Sequence, residues 1–545
     1  MGCQELQRTP GSPYAHGCMG VGPYAIIARM LIEEQRSEHE MAIEAEESAR
    51  TEQADVKIET PAATRTLTHG ELLIAWLPTL LTPAGLRACF ETALIALGFV
   101  AQWFLLPHTI INGGYDGQVR YRMMENLLIH GYLDNSRYSI YGPIFSAPLW
   151  FLSHFAQTPD YWLGRYNLIL LALACCALYW LLRDHLDHTT LRIFLLLMVV
   201  ASMFPNHIET YYGETFTALM VAVGLAFVMF GRRWGWGAVV LGVASAPATL
   251  AGLICVVARW MLTTRRLRLL GVVLAVGILI VLENWVRRGG PFTTGYEHDA
   301  GLQTLALFSG RSGFSYPFLF GVLSILLSFG KGIFYYMPGL LLPVRSRLMA
   351  LKTGSAKTED AARRLVTLHS LWLWFVVGLV AIYASWWAWY GGWFWGPRFF
   401  LIGCVPASFA LSLWLRQRDQ TLLANLITLA VLIVAVWVGM DGAVFQQTDL
   451  GTMCRANGYR YETMCFYTLD YGALTHPLIL LFLFGFSQKF ITDEALTLSY
   501  AIYMVYVGLV FIYLAAPLAW RIALQLREQT YRWLGVYVRR DAWRL

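Results

Sequence analysis

The feature that most limits what this chain can fold into is a series of apolar runs, each about 20 residues long, the length a helix needs to cross a hydrocarbon core. They fall at 86–106, 161–182, 191–205, 213–231, 268–286, 333–350, 366–387, 399–415, 420–440 and 497–520. Residues 236–262 form a further run, interrupted by Ser245-Ala246-Pro247-Ala248. Proline breaks the hydrogen-bond ladder of a helix, so this run is read as a hairpin of two segments, and the total is about twelve. A soluble core needs a polar shell, which a chain 57% hydrophobic and 14% charged cannot supply. The predicted class is an all-α polytopic membrane protein. A polar, Glu- and Gln-rich tail covers 1–75, a transmembrane domain 76–520, and a basic C-terminal tail 521–545.

Lysine and arginine concentrate on the cytoplasmic side of membrane proteins. With the N-terminal tail inside, Arg183–Arg192, Arg232-Arg233, Arg265–Arg268, Arg345–Arg364, Arg416–Arg418 and the C-terminal arginines all fall on one side. This requires that 236–262 enters and returns, and that the stretch 143–156, too short to cross, lies at the interface as an amphipathic helix. The opposite side receives 107–160, 287–332, 388–398 and 441–496. Cys454 and Cys465 fall there, where a disulfide is expected. The net charge of +6 is dispersed between apolar runs, which excludes a nucleic-acid surface.

The first outer loop is the most informative. Asp116 follows a Gly-Gly turn and opens an amphipathic helix whose stripe is Val119, Met123 and Leu127, beside Met124 and Leu128. Arg120, four residues on, shares that face. A carboxylate on the buried side of an interfacial helix needs a partner or a role. It is read either as an N-cap paired with Arg120 or as a functional group.

The order of features resembles the lipid-carrier-dependent glycosyltransferases of the C-type membrane fold, the group that includes the polyprenyl-phosphate-mannose protein mannosyltransferases and the aminoarabinose transferases. Glu283-Asn284-Trp285 through Gly290-Pro291 to Gly295-Tyr296 is similar to the family's N…G-x-P…G-Y stretch. Ser328-Phe329-Gly330-Lys331-Gly332-Ile333-Phe334 is similar to a S-P-G-[KR]-G-L-F motif, with Phe329 in place of its proline. Trp389-Tyr390-Gly391-Gly392 to Gly396-Pro397-Arg398 is similar to W-x-G-G-x-x-x-G-P-R. Many members carry a cation in the hairpin near Pro247, and here that stretch is uncharged. The likeness covers roughly residues 86–440.

That resemblance implies transfer of a sugar from a polyprenyl phosphate to an acceptor hydroxyl of a glycan, lipid or protein, on the non-cytoplasmic face of a bacterial inner membrane. Asp116 is then the expected general base. Glu214, or Glu209 in its place, is the expected second acid, which orients the acceptor or holds a divalent cation, the one candidate cofactor. Lys331, Arg398 and Arg120 are the candidate ligands of the lipid phosphate. Tyr296, His298 and Tyr141 are candidate substrate-loop contacts. Two other classes stay open: a transporter or lipid flippase, which would carry ionisable groups deep in its spans, and a non-catalytic subunit of a glycan assembly complex, in which Asp116 would be dispensable.

Overall fold

The computed structural model describes residues 82–110, 115–297, 307, 311, 313–349, 356–445, 450–459, 462–479 and 494–533. The expected N-terminal tail lies outside them. The described regular structure is helical, without a strand. In chain order the helices are α1 (Pro83–Leu105), α2 (Tyr115–Glu125), α3 (Pro159–Leu182), α4 (His188–Val200), α5 (Gly213–Met229), α6 (Gly235–Ala244), α7 (Pro247–Thr264), α8 (Leu267–Arg288), α9 (Phe318–Leu327), α10 (Glu359–Tyr383), α11 (Arg398–Arg416), α12 (Leu422–Val444) and α13 (Glu494–Trp533).

Among the described residues, eight of these are long and apolar enough to cross a membrane: α1, α3, α7, α8, α10, α11, α12 and α13. The expectation of about twelve spans is therefore met only in part. Helices α4, α5, α6 and α9 are apolar but only 10–17 residues long. At 1.5 Å per residue, even the longest falls short of a hydrocarbon core about 30 Å thick. The run 333–350 is not a helix. Pro338 and Pro343 break it into Ile333–Tyr336, Pro338–Leu341 and Arg345–Met349, and α9 precedes it. The hairpin at 236–262 is present, with α6 ending just before Ser245 and α7 opening on Pro247. The stretch 143–156 does not cross; it holds two short helices, Tyr141–Ile144 and Ala147–Leu152.

The centre of the bundle is α4, in which every residue from Thr190 to Val200 is buried. It packs on α1 and α11. Lipid gives little hydrophobic drive to helix association, so close backbone approach matters more. Gly378 of α10 meets α7 so closely that a Cβ there would lie 2.5 Å from the Ala251 carbonyl. One buried carboxylate within the bundle shows how such a group is paired. Glu91 of α1 accepts from Arg192 (2.6 Å), Arg87 (2.8 Å) and Tyr513 of α13 (2.6 Å). Helix α13 has 40 residues. That is about 60 Å of helix, twice a hydrocarbon core. Arg521 ties its far half to the carbonyls of Leu415 (3.2 Å) and Gln417.

The basic connectors gather at one end of the bundle. Lys357 donates to the Arg183 carbonyl, Arg416 pairs with Asp187, and both Arg347 and Arg521 reach Gln417. Asp116 and the cavity beside it lie among the connectors at the other end, where Thr109 meets Glu209, Arg137 meets Gly295, and Tyr316 meets Ser385.

Candidate active site

Asp116 sits in the first turn of α2, and the rest of that helix's inner face is driven into the protein by Met123 and Met124, exposed 1% and 0%. Burial carries the carboxylate with it. A cavity of about 620 Å³ opens beside it. Its wall includes Asp116 and Arg120 of α2, Glu214 of α5, Arg398 of α11, Tyr138 and Tyr296 of the connectors, and the hairpin tip 245–249.

The partner of Asp116 is not Arg120. Arg398 donates from Nη1 to Asp116 Oδ2 at 2.8 Å, and the same nitrogen lies 3.5 Å from Glu214 Oε1. The guanidinium rests on the ring of Phe394, 3.8 Å from its centroid. Tyr138 donates its hydroxyl to Asp116 Oδ1. Burial alone would raise the Asp116 carboxyl. The charge of Arg398, the Tyr138 hydrogen bond and the nearby Arg120 outweigh burial and hold it below the usual carboxylate range. Burial, and then the charge of Asp116, push the Tyr138 phenol up, so it stays a donor.

Arg120 is the unusual group. It is 7% exposed, and its Nε and Nη1 are buried without a hydrogen-bond partner. Its guanidinium lies over the face of the Tyr138 ring, 4.5 Å from the centroid. Its guanidinium lies against Gly213, where a Cβ would fall 2.6 Å from Nη1. A buried cation without a carboxylate is costly, and an anion entering the cavity would relieve it.

The end of α8 holds the outer connector in place. Glu283 accepts from Ser139 Oγ (2.8 Å), the Ile140 amide (2.9 Å) and Arg287. Arg287 and Arg288 donate to the carbonyls of Asp134, Ser136 and Tyr138. This fixes the loop that carries Tyr138. Away from the charges, the cavity wall is apolar: Ile280, Phe375, Leu379, Ile382, Leu401 and Ile402 come from α8, α10 and α11, all long enough to span.

The cavity thus brings together Asp116, Arg120, Glu214, Arg398 and Tyr296. Tyr296 stacks edge-on against Trp386 and lies under Arg137, and burial pushes its phenol up. Other expected site residues fall elsewhere. Lys331 is off the cavity wall; its ammonium donates to the carbonyls of Gly392 (3.1 Å), Phe394 and Gly396 (3.1 Å). Glu209 is buried behind the wall, beside Thr109. Tyr141 donates to the Leu279 carbonyl at 3.2 Å and does not line the cavity. His298 lies outside the described residues. Tyr138 carries no local sequence signal, because nothing in its surroundings separates it from Tyr132 or Tyr141.

A divalent cation does not fit between Asp116 and Glu214, since the Arg398 guanidinium occupies that position. Among the described residues, no cluster of three or more His, Cys, Asp or Glu side chains is placed to hold a metal. No protein-family model matches the chain, and no curated protein matches it.

Proposed function

We propose that this protein is an integral membrane glycosyltransferase that moves a sugar from a polyprenyl-phosphate carrier to an acceptor hydroxyl. One observation carries the reading. A cavity walled partly by apolar faces of long helices ends at a buried carboxylate, Asp116, and a buried arginine, Arg120, that forms no ion pair among the described residues and leaves Nε and Nη1 without a hydrogen-bond partner. A lipid-linked phosphate matches both: the chain suits the apolar wall and the phosphate suits Arg120.

In this reading the acceptor oxygen attacks the anomeric carbon while Asp116 takes its proton. The bond from that carbon to the phosphate oxygen breaks, and the sugar inverts. The electron pair leaves on the polyprenyl phosphate, whose growing charge Arg120 stabilises. Tyr138 and Arg398 orient Asp116, and Glu214 completes the charge balance around Arg398. No step is assigned to a metal. The clustered basic connectors support a cytoplasmic placement for the end that carries them, and hence an active site on the far face of a bacterial inner membrane with both termini inside. A transporter reading gains no support from Glu91 and Glu283, each of which is already paired within the bundle.

The test is a panel of polyprenyl-phosphate sugars offered to the purified protein in vesicles with cell-envelope extract as acceptor. Release of polyprenyl phosphate with labelled sugar in the acceptor is expected from at least one donor. Turnover of none, by protein that is folded and inserted, overturns the reading.

A further inference from the structure

Loop 391–397 leads directly into Arg398 and carries Phe394, the ring on which the guanidinium rests. Gly391, Gly392 and Gly396 have φ of 75°, 78° and 65°, a region open to glycine and strained for other residues. A loop built this way has little stiffness of its own. It also turns carbonyls inward, and inward carbonyls need donors. Lys331 supplies them. It is 1% exposed, and its ammonium reaches the carbonyls of Gly392, Phe394 and Gly396 together. An ammonium has three N–H donors and no acceptor, which suits three convergent carbonyls. From the other side, Trp395 Nε1 donates to Asp441 Oδ2 of α12 at 2.8 Å. Beneath Lys331 lies the ring of Phe466, 4.9 Å from the ammonium and next to the Cys454–Cys465 disulfide.

We propose that Lys331 is a positioning residue: it fixes loop 391–397 and, through that loop, the Arg398 guanidinium against Asp116, and it does not bind the donor phosphate. The consequence for sugar transfer rests on the glycosyltransferase reading; the fixing of the loop does not. Among the described residues the groups facing Asp116 are Arg120 from α2, Arg398 from α11, Tyr138 and Tyr296 from the outer connectors, Tyr212 just before α5 and, through Arg398, Glu214 from α5. Lys331 is not among them. Its effect on Asp116 therefore passes through Arg398.

Hydrogen exchange on the purified protein tests the loop directly. In Lys331→Met the amides of 391–398 are expected to exchange roughly ten-fold faster or more, and in Lys331→Gln, which keeps one donor group, by a smaller factor, while α4 stays unchanged. Should Lys331→Met fail to give monodisperse protein, Lys331→Gln carries the measurement. In the transfer assay kcat is expected to fall, and affinity for bare polyprenyl phosphate to stay within about two-fold. The acid limb of the pH profile is expected to move to higher pH as Arg398 loosens its hold on Asp116. Unchanged exchange across 391–398 overturns the proposal whatever the protein catalyses. Lost phosphate binding with an unmoved acid limb also overturns it and assigns Lys331 to the donor. If the native protein turns over no donor, the glycosyltransferase reading fails, and the exchange result still decides the role of Lys331 in the loop.

Discussion

Replacing Arg120 with methionine should make the free protein more stable and the ligand-bound protein weaker. Methionine keeps an unbranched apolar stem, stops short of the guanidinium and removes the charge. Two guanidinium nitrogens, Nε and Nη1, are buried without a partner. Each such orphan costs about 1–3 kcal/mol. The contact with the Tyr138 ring returns about 0.5–2 kcal/mol, and the nearby Asp116 carboxylate returns part of the rest. The net gain on substitution is then about 1–3 kcal/mol in the free protein. Hydrogen bonds to a charged phosphate are worth about 1.5–3 kcal/mol each, so loss of one weakens binding by roughly 10- to 100-fold. The assay is thermal unfolding in detergent with and without polyprenyl phosphate. The wild-type midpoint should rise with the lipid, and the Arg120→Met midpoint should start higher and respond less. A variant that unfolds earlier than wild type and binds the lipid equally well would refute the reasoning. Gly213→Ala is a companion without a charge change, because its Cβ would push the guanidinium aside and weaken binding with little effect on stability.

Arg398→Met leaves the buried Asp116 carboxylate facing the part-buried Glu214 carboxylate and should destabilise the protein by about 3 kcal/mol at neutral pH. The Asp116 carboxyl is held below its ordinary value, so its stabilisation is full above about pH 4 and is lost as pH falls through the lower folded value. The gap between wild type and Arg398→Met should therefore narrow in acid; a gap constant from pH 7 to pH 3 contradicts the pairing. His207, buried in the turn after α4, is pushed down to about 4 by burial. The unfolded chain takes up this proton near its ordinary value of about 6.5 and the folded chain does not, so stability falls between those values as pH drops. A His207→Gln variant should show a flatter unfolding midpoint across that window; an identical slope contradicts the assignment. Cys454 and Cys465 form a disulfide. Neither thiol should label until a reductant is added, and equal labelling without one rules the bond out.

Much of the architecture was legible because it follows from local rules. Proline in an apolar run marked the hairpin at Pro247, and arginine spacing placed the basic connectors together. The position of Asp116 on the apolar face of α2 marked it for burial beside Arg120. Pairings across the chain were not legible. Asp116 and Arg398 are 282 residues apart, and no local pattern joins them. Arg120 looked like the partner of Asp116 because it is four residues away, yet it is Gly213 and Tyr138 that surround it. Lys331 between two glycines looked like a phosphate cradle. The same glycines let the chain turn inward, and the ammonium follows the carbonyls of a neighbouring loop. The run 333–350 has the composition of a span, but its prolines outweigh its hydropathy.

The most direct test of the central claim is single-turnover transfer from a bound polyprenyl-phosphate sugar by wild type and Asp116→Asn. The asparagine keeps a hydrogen-bond acceptor for Tyr138 and removes the base. The account predicts that Asp116→Asn retains the donor and loses transfer by a factor of about 100 or more, the range expected for a missing general base. Transfer at the wild-type rate by a folded, donor-loaded Asp116→Asn protein would contradict it.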